Sequence, residues 1–243
     1  MKRIMFLILL CTIILLPQKS VTAHTNENTT TPISNIINGV IDLKNPIWAQ
    51  LLEKYKTNDT VKQIIFVEYQ ANSDAVLKLY TKNVDGWDNK LVVPAQIGQN
   101  GLGKEIEGDN KTPVGDFGIF TAAGIKPNPG TKADYVLFDN HIFAAEGPYY
   151  NKLLDTRIHP ASDVKTYDGD TFSDAEPQFN YSLFLDYNKE CIPGKGSYIF
   201  LHCKGEKPYT HGCVAVSEEA MVSILNQVDN NVRVCIFPQE IPG

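Results

Sequence analysis

Within residues 197–220, SYIFLHCKGEKPYTHGCVAVSEEA, two histidines and Cys213 are brought to the end of a strand-like apolar run and the approach to a helix. Such a place suits cysteine chemistry. A free thiol near its reference pKa of about 8.5 is mostly protonated at neutral pH, and a neighbouring imidazolium or a helix N-terminus lowers that value toward the reactive thiolate. His202 follows the run Tyr198 to Leu201, so it is expected where a strand leaves the core. A loop of eight residues then returns the chain to His211-Gly212-Cys213, and either imidazole could reach the sulfur. Gly212 leaves space beside the nucleophile, and the backbone N–H groups of Gly212 and Cys213 are expected to face a carbonyl oxygen as negative charge develops on it. That combination is what covalent acyl transfer through a thiol requires. Zinc is not expected, because a structural site needs a fourth ligand that no CxxC or HxxxH spacing supplies. No metal and no cofactor are therefore called for.

These residues must be positioned by strands. KQIIFVEY, the turn-like ANSD and AVLKLYTK read as a hairpin, and KLVVPAQI, DFGIFTA, DYVLFD, YSLFLDY, SYIFLHC and VRVCIF as further strands separated by loops rich in Gly, Pro, Asn and Asp. The fold expected is mainly β, a sandwich or barrel with one or a few packed helices. One helix is expected near the C-terminus, capped by Ser217, with Glu218 and Glu219 in its first turn and Met221, Ile224, Leu225 and Val228 on one apolar face. A second, short helix is expected after Asn45-Pro46, with Ile47, Leu51, Leu52 and Tyr55 at helical spacing, covering one edge or face of the main domain. GQNGLG lacks a following Lys-Ser/Thr and reads as a tight turn region rather than a phosphate loop. Tyr149, Tyr150 and Asn151 form a polar-aromatic loop suited to lining a substrate groove.

The first residues bear on compartment. Lys2 and Arg3 precede thirteen uncharged apolar residues, Ile4 to Leu16, and Val21-Thr22-Ala23 gives a small-residue cleavage pattern. Thirteen residues fall short of the roughly 20 that cross a bilayer as a helix, so residues 1–23 are expected to be a signal peptide cleaved after Ala23, leaving no stable membrane span. Residues 24–60 then form a polar leader and the short helix, and 61–238 the main domain. Cleavage takes the formal net charge from −6 to −9, and no Lys/Arg block is dense enough to track phosphates, which excludes nucleic acid as a partner. The mature chain is expected to be a monomer in the periplasm or cell envelope. If Cys213 stays free there, at most one disulfide forms among Cys191, Cys203 and Cys235, and the pairing is left open.

Thr210-His211-Gly212-Cys213, preceded by the strand-ending His202, resembles the signature of the YkuD-type L,D-transpeptidase catalytic domain family. QIGQNGLGKEIEGDNKTPVGDFGIF at 96–120, LDYN at 185–188 and PGKGSYIFLH at 193–202 are similar to its envelope (ErfK/YbiS-like) branch, so the likeness spans roughly residues 62–237. The resemblance implies a β-sandwich-like domain in which Cys213 attacks the carbonyl of the third residue of a peptidoglycan stem tetrapeptide. D-Alanine leaves, and the acyl group passes to an acceptor amine. An L,D-carboxypeptidase hydrolysing the same bond, or a non-catalytic envelope-binding module, would share this sequence. Carried over residue by residue, His202 is the general base, oriented by the backbone carbonyl of Cys203, while His211 and Gly212 shape the nucleophile loop. Val214-Ala215 stands where the family often has Ile-Arg or Ile-Asn, and Arg157 is expected to supply the contact to the substrate carboxylate that the missing arginine would make.

Overall fold

The computed structural model describes residues 46–159 and 166–238. The apolar segment at 1–23, the leader that follows it and the Asn45 cap lie outside the described residues. Helix α1 (Pro46–Lys56) opens on a proline, which is pre-set for the first helical turn. Its buried face is Trp48, Leu51, Leu52 and Tyr55; Trp48, absent from the expected stripe, is the most deeply buried of them at 2 % exposure. That face packs on Ile64, Phe66, Tyr80 and Trp87, so α1 covers one side of the first strands, as the spacing predicts.

Strands β1 (Gln63–Ala71) and β2 (Asp74–Lys82) form the expected hairpin, turning through Asn72 in the left-handed region that asparagine tolerates. After β3 (Trp87–Gln96) the chain crosses the Gly-rich loop to β4 (Gly115–Phe117) and β5 (Ile119–Gly124). The sequence reads DFGIFTA as one strand. It is two, broken at Gly118, whose N–H is taken by Asp186 Oδ1 at 2.8 Å and where a side chain would collide with that carboxylate. β4 pairs with β13 (Arg233–Phe237) and β5 with β10 (Ser182–Leu185), so this one break sends the chain from one half of the sheet to the other.

With β6 (Tyr135–Leu137), β11 (Phe200–Cys203) and β12 (Val214–Val216), these strands form one ten-stranded mixed sheet in the order β4-β13-β1-β2-β3-β12-β11-β10-β5-β6. Its halves join through a single registered pair, Ala215 with Gln96. One core holds Ile65, Val67, Leu77 and Leu79 from the first half and Leu183, Leu185, Leu201, Val214 and Val216 from the second. This is the mainly β, sandwich-like packing expected, two inner faces sharing one apolar layer. Helix α2 (Glu218–Leu225) adds Met221, Ile224 and Leu225 to that layer, and Ser217 caps it by accepting from the Ala220 N–H. A separate sheet, β7 (Ile142–Ala145), β8 (Leu153–Asp155) and β9 (Thr166–Thr171), was not foreseen, because its short strands carry no clean alternation. Among the described residues no helix is long and apolar enough to cross a membrane.

Candidate active site

Cys213 sits one residue before β12, and its backbone is clamped before its sulfur is considered. Its carbonyl accepts hydrogen bonds from Thr210 Oγ1 (2.7 Å) and Thr112 Oγ1 (3.2 Å). Thr112, fully buried, also accepts from the Gly98 N–H at 2.8 Å. The Gly-rich loop and the loop that carries Cys213 are further zipped by Gln99 N–H to Thr210 O and Thr210 N–H to Ile97 O, both 2.9 Å. The sequence placed these two loops in separate motifs; the hydroxyls join them.

Strands β11 and β12 are parallel, with Leu201 opposite Val214 and His202 opposite Ala215. Side chains alternate along each strand, so Leu201, Cys203, Val214 and Val216 enter the main core while Phe200, His202 and Cys213 share the other face. Cys213 and His202 are thus diagonal neighbours, with about 8 Å between Cα atoms from strand spacing and rise alone. That face is aromatic. Phe184 stacks near-parallel on Phe200 at 4.6 Å and on Tyr198 at 5.9 Å, and Phe138, Phe172 and Phe179 complete the cluster against which Cys213 packs.

The half-buried Cys213 sulfur accepts from the Phe200 N–H (3.4 Å) and its thiol donates to the Tyr198 carbonyl (3.4 Å). Burial pushes the thiol up to about 11, against the opposing pull of the Phe200 N–H and the positive charge of Lys104. The expectation of a resting thiolate is corrected here: removal from water outweighs the nearby donors, and the proton stays on sulfur.

His202 is 7 % exposed, its ring 5.3 Å from that of Phe179. Its Nδ1 lies 2.7 Å from the Cys203 carbonyl, which can only accept, so Nδ1 carries the proton and Nε2 presents a lone pair. Burial lowers its pKa to about 4 despite that bond, so the ring is neutral through the physiological range. Cys203 contributes only its carbonyl; its own side chain faces the opposite core, where burial pushes the thiol up to about 12.

His211 is exposed and turned away from the sulfur toward the Gly-rich loop, with Nδ1 donating to Asn110 Oδ1 at 3.0 Å and Nε2 accepting from Lys207 at 3.4 Å. Gly212 adopts φ +140°, and an added Cβ would lie 3.0 Å from the Lys111 carbonyl, so the position admits little but glycine. Its N–H is directed at Thr210 Oγ1 (3.2 Å), not at an open pocket as the sequence suggested. The small hydroxyl-bearing turn captures that amide first.

The three expected substrate contacts are dispersed. Tyr149 is half-buried beside Ala145, Leu154 and the His159 ring. Asn151 is 2 % exposed and held inside the fold, its amide donating to the Tyr187 and Asn188 carbonyls and its oxygen accepting from the Tyr198 N–H. Arg157 is exposed, but its guanidinium already grips Asp155 through Nε and Nη2 and Asp139 through Nη1. Arg233 is likewise held by Asp116. Neither arginine offers an open fork to a substrate carboxylate.

Sequence reasoning passed over Tyr198. Its backbone is at φ +52°, rare for a bulky residue, and this departure is why β11 starts at Phe200 rather than Ser197. Its carbonyl holds the Cys213 thiol, while its phenol accepts from the Ala145 N–H and shares its one proton between the Ala145 and Lys152 carbonyls, tying the small sheet to Cys213. Nothing in an aromatic strand residue signals such a backbone. Thr112 was legible only as part of the KTPVG run. All four described cysteines are free thiols, so none of the disulfides left open forms.

The family YkuD, the L,D-transpeptidase catalytic domain, matches residues 63–236. No curated protein matches the chain. Among solved structures the chain is similar to that of Bd1075 from Bdellovibrio bacteriovorus, with 15 % identity and a TM-score of 0.40. That similarity covers 73 % of this chain and 48 % of the other, so this chain spans about half the length of that protein.

Proposed function

This chain belongs to the YkuD family of L,D-transpeptidase catalytic domains, and from that premise we propose that it is a peptidoglycan acyltransferase with Cys213 as nucleophile and His202 as base. The observation that carries this reading is the neutral His202 ring with a fixed tautomer on the same sheet face as the Cys213 sulfur. A thiol held near 11 beside an imidazole held near 4 does not rest as an ion pair. Roughly one sulfur in ten thousand is ionised at pH 7. Proton transfer therefore accompanies bond formation: the thiol swings from the Tyr198 carbonyl toward Nε2 and loses its proton there as sulfur attacks the carbonyl of the third stem residue.

The tetrahedral oxyanion is held by the Cys213 N–H, the Gly212 N–H joining only if it leaves Thr210. Collapse breaks the bond to D-alanine, whose amine takes the proton from imidazolium Nε2 and leaves a thioester. An acceptor amine attacks that thioester, gives its proton to Nε2, and the proton returns to sulfur as the new amide forms. The apolar residues packed against Cys213 support an amine acceptor over water in this reading.

The export pattern at residues 1–23 and the composition of residues 24–60 support an envelope location for the 61–238 domain, where stem peptides are found. Incubation of the protein with defined muropeptides is expected to give cross-linked dimer together with D-alanine. D-Alanine without dimer makes it an L,D-carboxypeptidase, and neither product, with no covalent carbapenem adduct by intact mass, makes it a binding module.

A further inference from the structure

Two glycines open a slot for a buried cation beside the nucleophile loop. The Lys104 side chain is 2 % exposed. A Cβ added at Gly196 would lie 2.4 Å from its Cε, and one added at Gly212 would lie 3.7 Å from its Nζ. Both glycines have positive φ, at +110° and +140°, so other residues are excluded twice over. The ammonium donates to Asp109 Oδ1 (2.9 Å) and to the Ile106 carbonyl (3.2 Å). Asp109 is itself saturated, accepting from the amides of Glu105, Ile106 and Lys111. Burial pushes its carboxyl up, but those amides and Lys104 outweigh the effect and hold it well below the usual range.

An ammonium is costly to bury, and a surface loop does not need one to close. Its placement against the residue preceding Cys213, with both arginines occupied elsewhere, points to an electrostatic role. We propose that Lys104 is a positioning residue that stabilises negative charge on the Cys213 sulfur, with Asp109 holding the ammonium in its slot. The charged and titratable groups around that sulfur are His202 from β11, Lys104 with Asp109 from the Gly-rich loop, and His211 on its own loop, which faces Asn110 and Lys207 instead. Tyr150 and Glu107 are hydrogen-bonded to each other, and the Tyr150 hydroxyl accepts from the Gly196 N–H.

The inference rests on Cys213 as nucleophile for its catalytic consequence alone, so its test uses no peptidoglycan. The rate of iodoacetamide alkylation of Cys213, located by peptide mass, is followed between pH 7 and 9 in the full chain. Well below the thiol pKa this rate tracks the thiolate fraction, so loss of a neighbouring positive charge is expected to slow it about tenfold in K104M. K104R, which keeps the charge, should stay within about threefold of wild type on the same grounds. K104Q, which retains hydrogen bonds to Asp109 and Ile106 without charge, serves if K104M does not melt cooperatively, and should match the tenfold loss. Alkylation at the wild-type rate in the neutral variants, or an equal fall in K104R, would overturn the proposal. Slow alkylation of a thiol that then makes no muropeptide product would instead count against the proposed function and leave the role of Lys104 standing.

Discussion

Among the places where the described residues gather a carboxylate, a cation and a cysteine, two arrange them oppositely. At the β4–β13 edge Asp116 accepts from Lys54 (2.8 Å), Tyr55 (2.5 Å) and Arg233 (2.8 Å), and the buried Cys235 thiol also donates to Asp116 Oδ1 at 3.5 Å. The anion is nearest the sulfur, so burial and the adjacent carboxylate together push that thiol well above its ordinary range. At the Cys213 loop the cation is on the sulfur's side, and Asp109 is wrapped in its own loop amides. Both sulfurs suffer desolvation; the difference is which end of an ion pair they meet. Burial alone therefore does not separate the thiol proposed to react from the one that is not.

The largest effect expected on this contrast is from Cys213→Ala, which should abolish muropeptide dimer, D-alanine release and any carbapenem adduct, all read by mass spectrometry. Cys235→Ala should leave all three in place. Adduct formation on the Cys213→Ala protein would end the assignment. Next in size, His202→Gln should lower dimer formation by about 10²–10⁴-fold, the range for loss of a general base. The pH profile sharpens this further. With His202 depressed to about 4, its neutral form is already present above that value, so kcat/KM should hold level from pH 8 to below 6 and fall only toward pH 4. The same shift removes stability as pH falls from the unfolded value near 6.5 through about 4, because the unfolded chain binds the proton first. An acid limb centred on 6.5 would show a solvated imidazole and break the neutral-pair mechanism.

How much of this was legible in the sequence follows from what each feature depends on. The hairpin, α1, the Ser217 cap and the mainly β class are local, written in spacing and turn residues. Cys213 and His202 were legible because a motif fixes types and order. Their geometry was not, since the common sheet face arises from a parallel β11–β12 register between segments separated by a loop. The resting thiol was misread because desolvation depends on aromatic residues from Phe138 to Phe200, scattered over the chain. Arg157 was chosen as a scarce cation; what the sequence could not show was that Asp139 and Asp155 already occupy it.

A smaller effect, on stability rather than chemistry, tests the Asp116 member of the pair. Asp116→Ala leaves Arg233 half-buried without its carboxylate and should cost about 3 kcal/mol in urea unfolding. Turnover per folded molecule should be unchanged, since these groups sit at the β4–β13 end of the sheet, with β1, β2 and β3 between them and β12. A matching fall in turnover would show the two regions to be coupled.

The smallest effect concerns the clamp on the Cys213 backbone. Thr112 Oγ1 accepts from the Gly98 N–H and donates to the Cys213 carbonyl, so Thr112→Val, nearly the same shape, removes both bonds and strands a buried amide. About 1–3 kcal/mol of stability is at stake by that route. Thr210 still holds the same carbonyl, so the loop is loosened rather than released, and turnover should fall about tenfold, with Thr112→Ser close to wild type. The decisive comparison is between stability and turnover. If the valine variant loses stability alone, the hydroxyl merely closes the Gly-rich loop. If turnover falls and the serine hydroxyl restores it, Thr112 aims the sulfur, and the loop that carries Lys104 is mechanically as well as electrically part of the site.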